Sequence, residues 1–242
     1  MDSISIVIPA YNEETRLPAS LDAVARYLRQ GRWRFTEILV VDDGSTDATA
    51  RVAQSYALAH PQVRLLRNPG NRGKGFSVRH GVLEARGDWI LFTDADLSAP
   101  IEEAAKLFRA VDEHRAQIAF GSRGLDRSLI EIHQSWFRET AGRFFNLLVR
   151  LLTGLPYADT QCGFKLFERR AAREIFRRQR LHRFGFDVEV LYLARRLGFR
   201  AVEVPVRWRH SEGTKVSMWR DSVHMFLDLL RIRWNDLLSR YR

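Results

Sequence analysis

Short apolar runs rich in β-branched residues alternate with helix-patterned segments from the start of the chain, at 4–9, 36–42, 62–67, 88–94 and 116–121. Strands separated by helices can pair only in parallel, so this rhythm selects an α/β fold with a Rossmann-like, mostly parallel sheet flanked by helices. The first helical segment has the matching period: Leu17, Leu21, Val24 and Leu28 share one face, and Gly31 stands where a left-handed C-terminal cap is expected. After residue 122 the rhythm changes. An apolar, arginine-punctuated helix is expected around 136–153, then a turn-rich stretch at 154–165, two helices, a strand near 200–206 and a final basic helix from about 218. With 242 residues, no internal repeat and no long linker, the chain reads as one domain over 1–242.

Ligands of an open parallel sheet bind beyond the carboxyl ends of its strands, so the loops that follow the strands carry the chemistry. Four of them are polar: Pro9-Ala-Tyr11-Asn12-Glu13-Glu14, Asp42-Asp43-Gly44-Ser45-Thr46-Asp47, Asn68 through Asn71-Arg72-Gly73-Lys74-Gly75, and Asp94-Ala95-Asp96. Each alone also reads as an ordinary turn or helix entry, and Gly73 and Gly75 do not fit the phosphate-binding P-loop pattern. Their convergence on one sheet edge favours a binding site. Asp94 and Asp96 end an apolar strand, and two like charges at a rigid tip favour a cation. A divalent ion held by one or two carboxylates and completed by substrate phosphates is the usual Mg2+ or Mn2+ arrangement.

Charge divides the chain unevenly. Residues 1–121 hold 15 Lys+Arg against 16 Asp+Glu, a net of −1, whereas residues 122–242 hold 24 against 13, a net of +11. The second half is therefore suited to a polyanion or an anionic surface. No apolar stretch reaches the ~20 residues of a membrane span, and no leader-like segment precedes Ile4–Ile8, so the chain is expected in the cytoplasm. The helix around 136–153 nevertheless has more apolar residues (Phe144, Phe145, Leu147, Leu148, Val149, Leu151 and Leu152) than one core-facing stripe needs. Beside Arg138, Arg143 and Arg150, some of these are expected to face lipid, with a plain core helix as the alternative. The single cysteine, Cys162, has no disulfide partner and reads as a half-buried structural thiol.

The series IVIPAYNEE, VVDDGSTD, NRGKG, TDADLS and GSR resembles glycosyltransferase family 2, whose catalytic domain has the GT-A fold. DTQCGFKLF at 159–167 and FDVE at 186–189 narrow the resemblance to polyprenyl-phosphate glycosyltransferases, the dolichyl-phosphate β-glucosyltransferases above all. The resemblance implies an inverting, metal-dependent hexosyltransferase that moves a sugar from a nucleotide sugar to dolichyl or undecaprenyl phosphate. UDP-glucose is the first donor expected and GDP-mannose the second. It further implies that Glu13 and Asp42 hold ribose and base, with Pro9, Tyr11 and Asp43 beside them, and that Arg72 and Lys74 lie near base and diphosphate. Asp94 and Asp96 would serve sugar nucleotide and metal, Asp96 as the more direct ligand. Asp159 would face the sugar beside Gln161, and Arg123, Arg138 and Lys215 would hold the acceptor phosphate. Residues 1–121 then form a nucleotide-sugar half and 122–242 an acceptor and membrane-facing half, peripheral on the cytoplasmic membrane face, with no nucleic acid expected.

Two rival readings differ in class. A sugar nucleotidyltransferase needs a glycine-rich basic loop after its first strand, and here that loop is acidic and lacks glycine. A non-catalytic nucleic-acid binder is motivated by the basic second half, and would bind with a steep salt dependence and no need for metal.

Overall fold

A computed structural model describes residues 3–132, 136–209 and 218–242. Strands β1 (Ser3–Ala10), β2 (Phe35–Asp42), β3 (Val63–Arg67), β4 (Trp89–Thr93) and β5 (Ile118–Ser122) realise the five expected runs. Helices α1 (Leu17–Gln30), α2 (Thr49–Ala59), α3 (Lys74–Glu84) and α4 (Ala104–His114) follow the first four strands. The fifth is followed instead by a 3-10 turn and a short strand, β6 (Ile130–Ile132), before α5 (Trp136–Thr153). Then come β7 (Phe164–Glu168), α6 (Arg169–Arg178), α7 (Phe186–Arg196), β8 (Ala201–Pro205), β9 (Trp208–Arg209) and α8 (Met218–Leu237).

Seven strands form one sheet in the order β3-β2-β1-β4-β7-β5-β8. All neighbours are parallel except β7, which runs antiparallel between β4 and β5. That strand corrects the reading of 154–165 as leading from turns straight into helix, and it places a strand from the second half inside the sheet of the first. β6 and β9 form a separate parallel pair.

Successive residues of a strand point to opposite faces, and both faces here are covered. Ile4, Ile6 and Ile8 of β1 pack in one core with Leu17, Leu21, Val24 and Leu28 of α1 and Leu107, Phe108 and Val111 of α4. Val7, with Leu39 and Val41 of β2, packs in the other with Val78 and Val82 of α3, Ile175 of α6 and Val190 of α7. Gly31 caps α1 with extended backbone, φ −83°, and is not the left-handed residue expected. Its requirement is space, because a Cβ there would lie 2.0 Å from the Trp33 indole Nε1.

On α5, Val149 is buried and Phe145, Leu148 and Leu152 pack against the second core. Among the described side chains of that expected surplus, Leu147 and Leu151 are exposed, and the side chain of Phe144 lies outside the described set. Among the described residues no helix is long and apolar enough to cross a membrane.

Candidate active site

The chain leaves β1 for β2 and β3 on one side, then returns to place β4 on the other side of β1. Such a reversal opens a crevice at the carboxyl ends of the two strands. The register delivers the motifs to it: Ala10 pairs with Asp42, and Asp94 N donates to Gly163 O (3.2 Å) one step beyond the Thr93–Phe164 pair.

The first two loops are stitched together. Asn12, held at φ +54°, accepts from Thr46 N (2.8 Å) through Oδ1 and donates from its own backbone N to Ser45 Oγ (2.9 Å). Glu13 N donates to Thr49 Oγ1 (2.6 Å), and Ser45 N to Asp42 Oδ1 (3.1 Å). Pro9 belongs to β1 itself, opposite Val41, and Tyr11 is the first residue beyond the strand. Glu13 chelates Arg16 through two 2.7 Å bonds, and the far side of that guanidinium lies 3.7 Å from Asp96 Oδ2. Arg16 thus bridges the crevice, a role that its position before an apolar helix does not announce.

Asp43, expected beside the ribose and base, also has partners within the protein. Its carboxylate is buried and accepts from Asn68 Nδ2 (2.8 Å), Arg72 N (3.0 Å) and Gly73 N (2.7 Å). Asp43 therefore shapes the 68–73 loop, next to Asp42, whose Oδ1 accepts from Ser45 N in the loop after β2. That loop presents Arg72, stacked 4.9 Å from the Phe76 ring centroid, and Lys74, whose ammonium lies 2.6 Å from Asp94 Oδ1. Burial alone would lower the Lys74 pKa, but the charges of Asp94 and Asp187 outweigh it and hold the group above its ordinary range.

At the β4 tip, Asp96 Oδ1 accepts from Ser98 N (3.0 Å) and Ser98 Oγ (2.9 Å) across a turn with Leu97 at φ +46°. Its Oδ2 is on the side of Arg16. The Asp94 carboxylate lies against the backbone of Gly163, where a Cβ would be 2.2 Å from Oδ2. Among the described residues no three His, Cys, Asp or Glu side chains form a metal cage. The donor set suits an ion bound by one or two carboxylates and completed by phosphate oxygens, the octahedral habit of Mg2+ and Mn2+.

The second half enters through Arg123, the residue after β5. Its guanidinium forks onto Asp159, with Nε to Oδ2 at 2.6 Å and Nη2 to Oδ1 at 3.0 Å, and lies 5.3 Å from the Trp208 ring centroid. Arg123 N and Gln161 N also donate to the same carboxylate (3.1 and 2.9 Å). Burial opposes ionisation of Asp159, but Arg123 and these donors prevail and hold its pKa at about 2. Asp159, expected to face the sugar, is the buried counter-ion of Arg123. The Asp94 charge also acts on Arg123, so this pair lies within electrostatic reach of the β4 tip. Arg138 is on α5 with its side chain outside the described set, and Lys215 lies outside the described residues. Cys162 is fully buried rather than half-buried, and burial pushes its thiol up to about 12, which keeps it unreactive.

The sequence profile described as Glycosyl transferase family 2 matches residues 5–176. Dolichyl-phosphate beta-glucosyltransferase of Drosophila melanogaster is 41% identical over 251 residues, covering 99% of this chain and 77% of that protein. The Homo sapiens and Dictyostelium discoideum proteins of that name are 38% and 36% identical, each over 99% of this chain and over 77% and 76% of their own lengths. Among solved structures, glucosyl-3-phosphoglycerate synthase of Mycobacterium tuberculosis with Mn2+, UDP and phosphoglyceric acid superposes with a TM-score of 0.67 at 20% identity, over 99% of this chain and 78% of that one. A Pyrobaculum calidifontis mannosyltransferase with GDP-Man and Mn2+ gives 0.60 at 20%, over 93% and 61%.

Proposed function

Because the chain belongs to glycosyltransferase family 2 and has the GT-A fold, we propose that it moves glucose from UDP-glucose onto a polyprenyl phosphate, with inversion, at the cytoplasmic face of a membrane. The observation that carries this reading is the grouping at one strand tip. Asp94 and Asp96 meet Lys74 and Arg16 from the donor-side loops, within reach of Arg123 from the second half. Similarity to dolichyl-phosphate glucosyltransferases over nearly the whole chain supports the acceptor class.

In this reading Glu13 and Asp42 hold ribose and base, and Arg72 and Lys74 lie along base and diphosphate. Asp96, with Asp94, would hold Mg2+ or Mn2+, which supplies positive charge to the departing diphosphate. The acceptor phosphate oxygen forms its bond to the anomeric carbon from the face opposite the diphosphate. The bond from that carbon to the diphosphate oxygen breaks with its electron pair passing to the nucleotide, hence inversion. An acceptor that is already an anion needs positioning more than a base, and Arg123, Arg138 and Lys215 are the basic groups proposed to position it. Asp159 keeps the Arg123 fork oriented.

Exposed Leu147 and Leu151 on α5, with Phe226, Leu230, Trp234 and Leu237 on the α8 helix packed beside it, supply the apolar face for peripheral contact with lipid. The deciding experiment offers UDP-glucose or GDP-mannose, with Mn2+, Mg2+ or chelator, and a short polyprenyl phosphate. Metal-dependent glucosyl-lipid is expected. Mannosyl-lipid alone would move the donor to GDP-mannose, and no lipid-linked sugar from either donor would reject the reading.

A further inference from the structure

Lys165 is a fully buried lysine, the second residue of β7, opposite Phe92 of β4 and Phe120 of β5. Its ammonium donates to the carboxylate of Asp187, in the first turn of α7, and to Cys162 O (2.6 Å), and lies 5.2 Å from the Phe92 ring centroid. Taking two charges out of water is costly, and a leucine or methionine in such a strand would generally be as stable or more so. Stability alone does not account for the pair. Its two contacts lead to one place. Cys162, whose carbonyl Lys165 grips, precedes Gly163, which accepts from Asp94 N (3.2 Å) and whose bare Cα faces the Asp94 carboxylate. On the other side, the charge of Asp187 acts on Lys74, the residue that holds Asp94 Oδ1 at 2.6 Å.

We propose that the buried Lys165–Asp187 pair is a positioning device for Asp94, fixing that carboxylate for the nucleotide sugar through the Cys162-Gly163 turn and through Lys74. This rests on the reading of Asp94 as a donor-site residue. Neither Lys165 nor Asp187 touches the donor in this arrangement.

The test measures donor dissociation constants by calorimetry, using UDP-glucose with Mn2+. Lys165→Met/Asp187→Leu removes both charges together, so no unpaired charge is left buried and the melting temperature should stay near that of the wild type. Its dissociation constant should rise roughly tenfold, the scale of coupling between groups in contact. Added to Asp94→Asn, the double substitution should cause little further loss, because both act on one carboxylate. Losses that multiply, or an unchanged dissociation constant in the double variant, overturn the proposal. If Asp94→Asn alone binds donor as the wild type does, the donor-site reading falls and takes this inference with it. Should the double variant not fold, Gly163→Ala disturbs the same turn and leaves the pair intact. It should show the same loss and the same non-additivity, and unimpaired donor binding there also overturns the proposal.

Discussion

The two oxygens of Asp96 do different work, since Oδ1 is tied to Ser98 while Oδ2 is on the side of Arg16. Asp96→Asn keeps an acceptor for Ser98 and loses the charge. Turnover should therefore fall by about a hundredfold or more with saturating manganese, while thermal unfolding changes little; near wild-type turnover would remove Asp96 from the metal assignment. Asp159 offers the opposite case, a carboxylate whose charge serves the fold. Its pKa is depressed from 3.8 to about 2, so its contribution is complete above the ordinary value and is lost as pH falls through the lower one. Asp159→Asn should cost about 2 kcal/mol at neutral pH, and denaturant unfolding should show its gap to the wild type closing between about pH 4 and pH 2. A gap independent of pH would mean that the ion pair is not the source.

At the scale of elements, the parallel strands and their loops are legible because each obeys one local period. What escapes that reading depends on partners distant in sequence. β7 is five residues long with Lys165 second in it, and a buried lysine interrupts the apolar run by which a strand is recognised. Asp42 and Asp43 are indistinguishable as letters. Only as neighbours at the end of a pleated strand do they diverge, the first accepting from Ser45 N in its own loop and the second from the 68–73 loop. The roles of Asn12 and Arg16 arise from contacts with residues 45–47 and 96, which no local pattern contains. The segment after α8 is another case: Tyr241 is buried and donates to Glu189 Oε1 (2.6 Å), whose carboxylate also accepts from Arg180 N (3.1 Å) and Leu181 N (2.8 Å). Burial outweighs these donors and lifts the Glu189 pKa from 4.5 to about 7, so this group's contribution to stability declines as pH rises across that interval. Tyr241→Phe removes one donor to the charged form. It should lower stability by about 1–2 kcal/mol at pH 8 and by less at pH 5, as read by denaturant unfolding; an equal loss at both would assign the effect to packing.

For the whole molecule, the uneven charge and the exposed apolar residues of α5 and α8 belong to the same half of the chain. Replacing Leu151, Trp234 and Leu237, which are 72%, 60% and 73% exposed, with serine should leave thermal stability unchanged and weaken sedimentation with anionic vesicles. Salt should weaken the wild-type interaction without abolishing it, because basic groups contribute roughly 1 kcal/mol each, screened over about 8 Å. Unchanged sedimentation of the triple variant would detach this face from the membrane. The antiparallel β7 carries a further consequence, for the chain as it is made. β3, β2, β1 and β4 can pair as soon as Thr93 has emerged, but the outer edge of β4 gains its partner only when Phe164–Glu168 arrives, about 70 residues later. At about 5–20 residues per second the nascent chain spends several seconds with an apolar strand edge open. Ribosome pausing in that window would favour edge-to-edge association between nascent chains, and their yield would then depend on how quickly β7 follows.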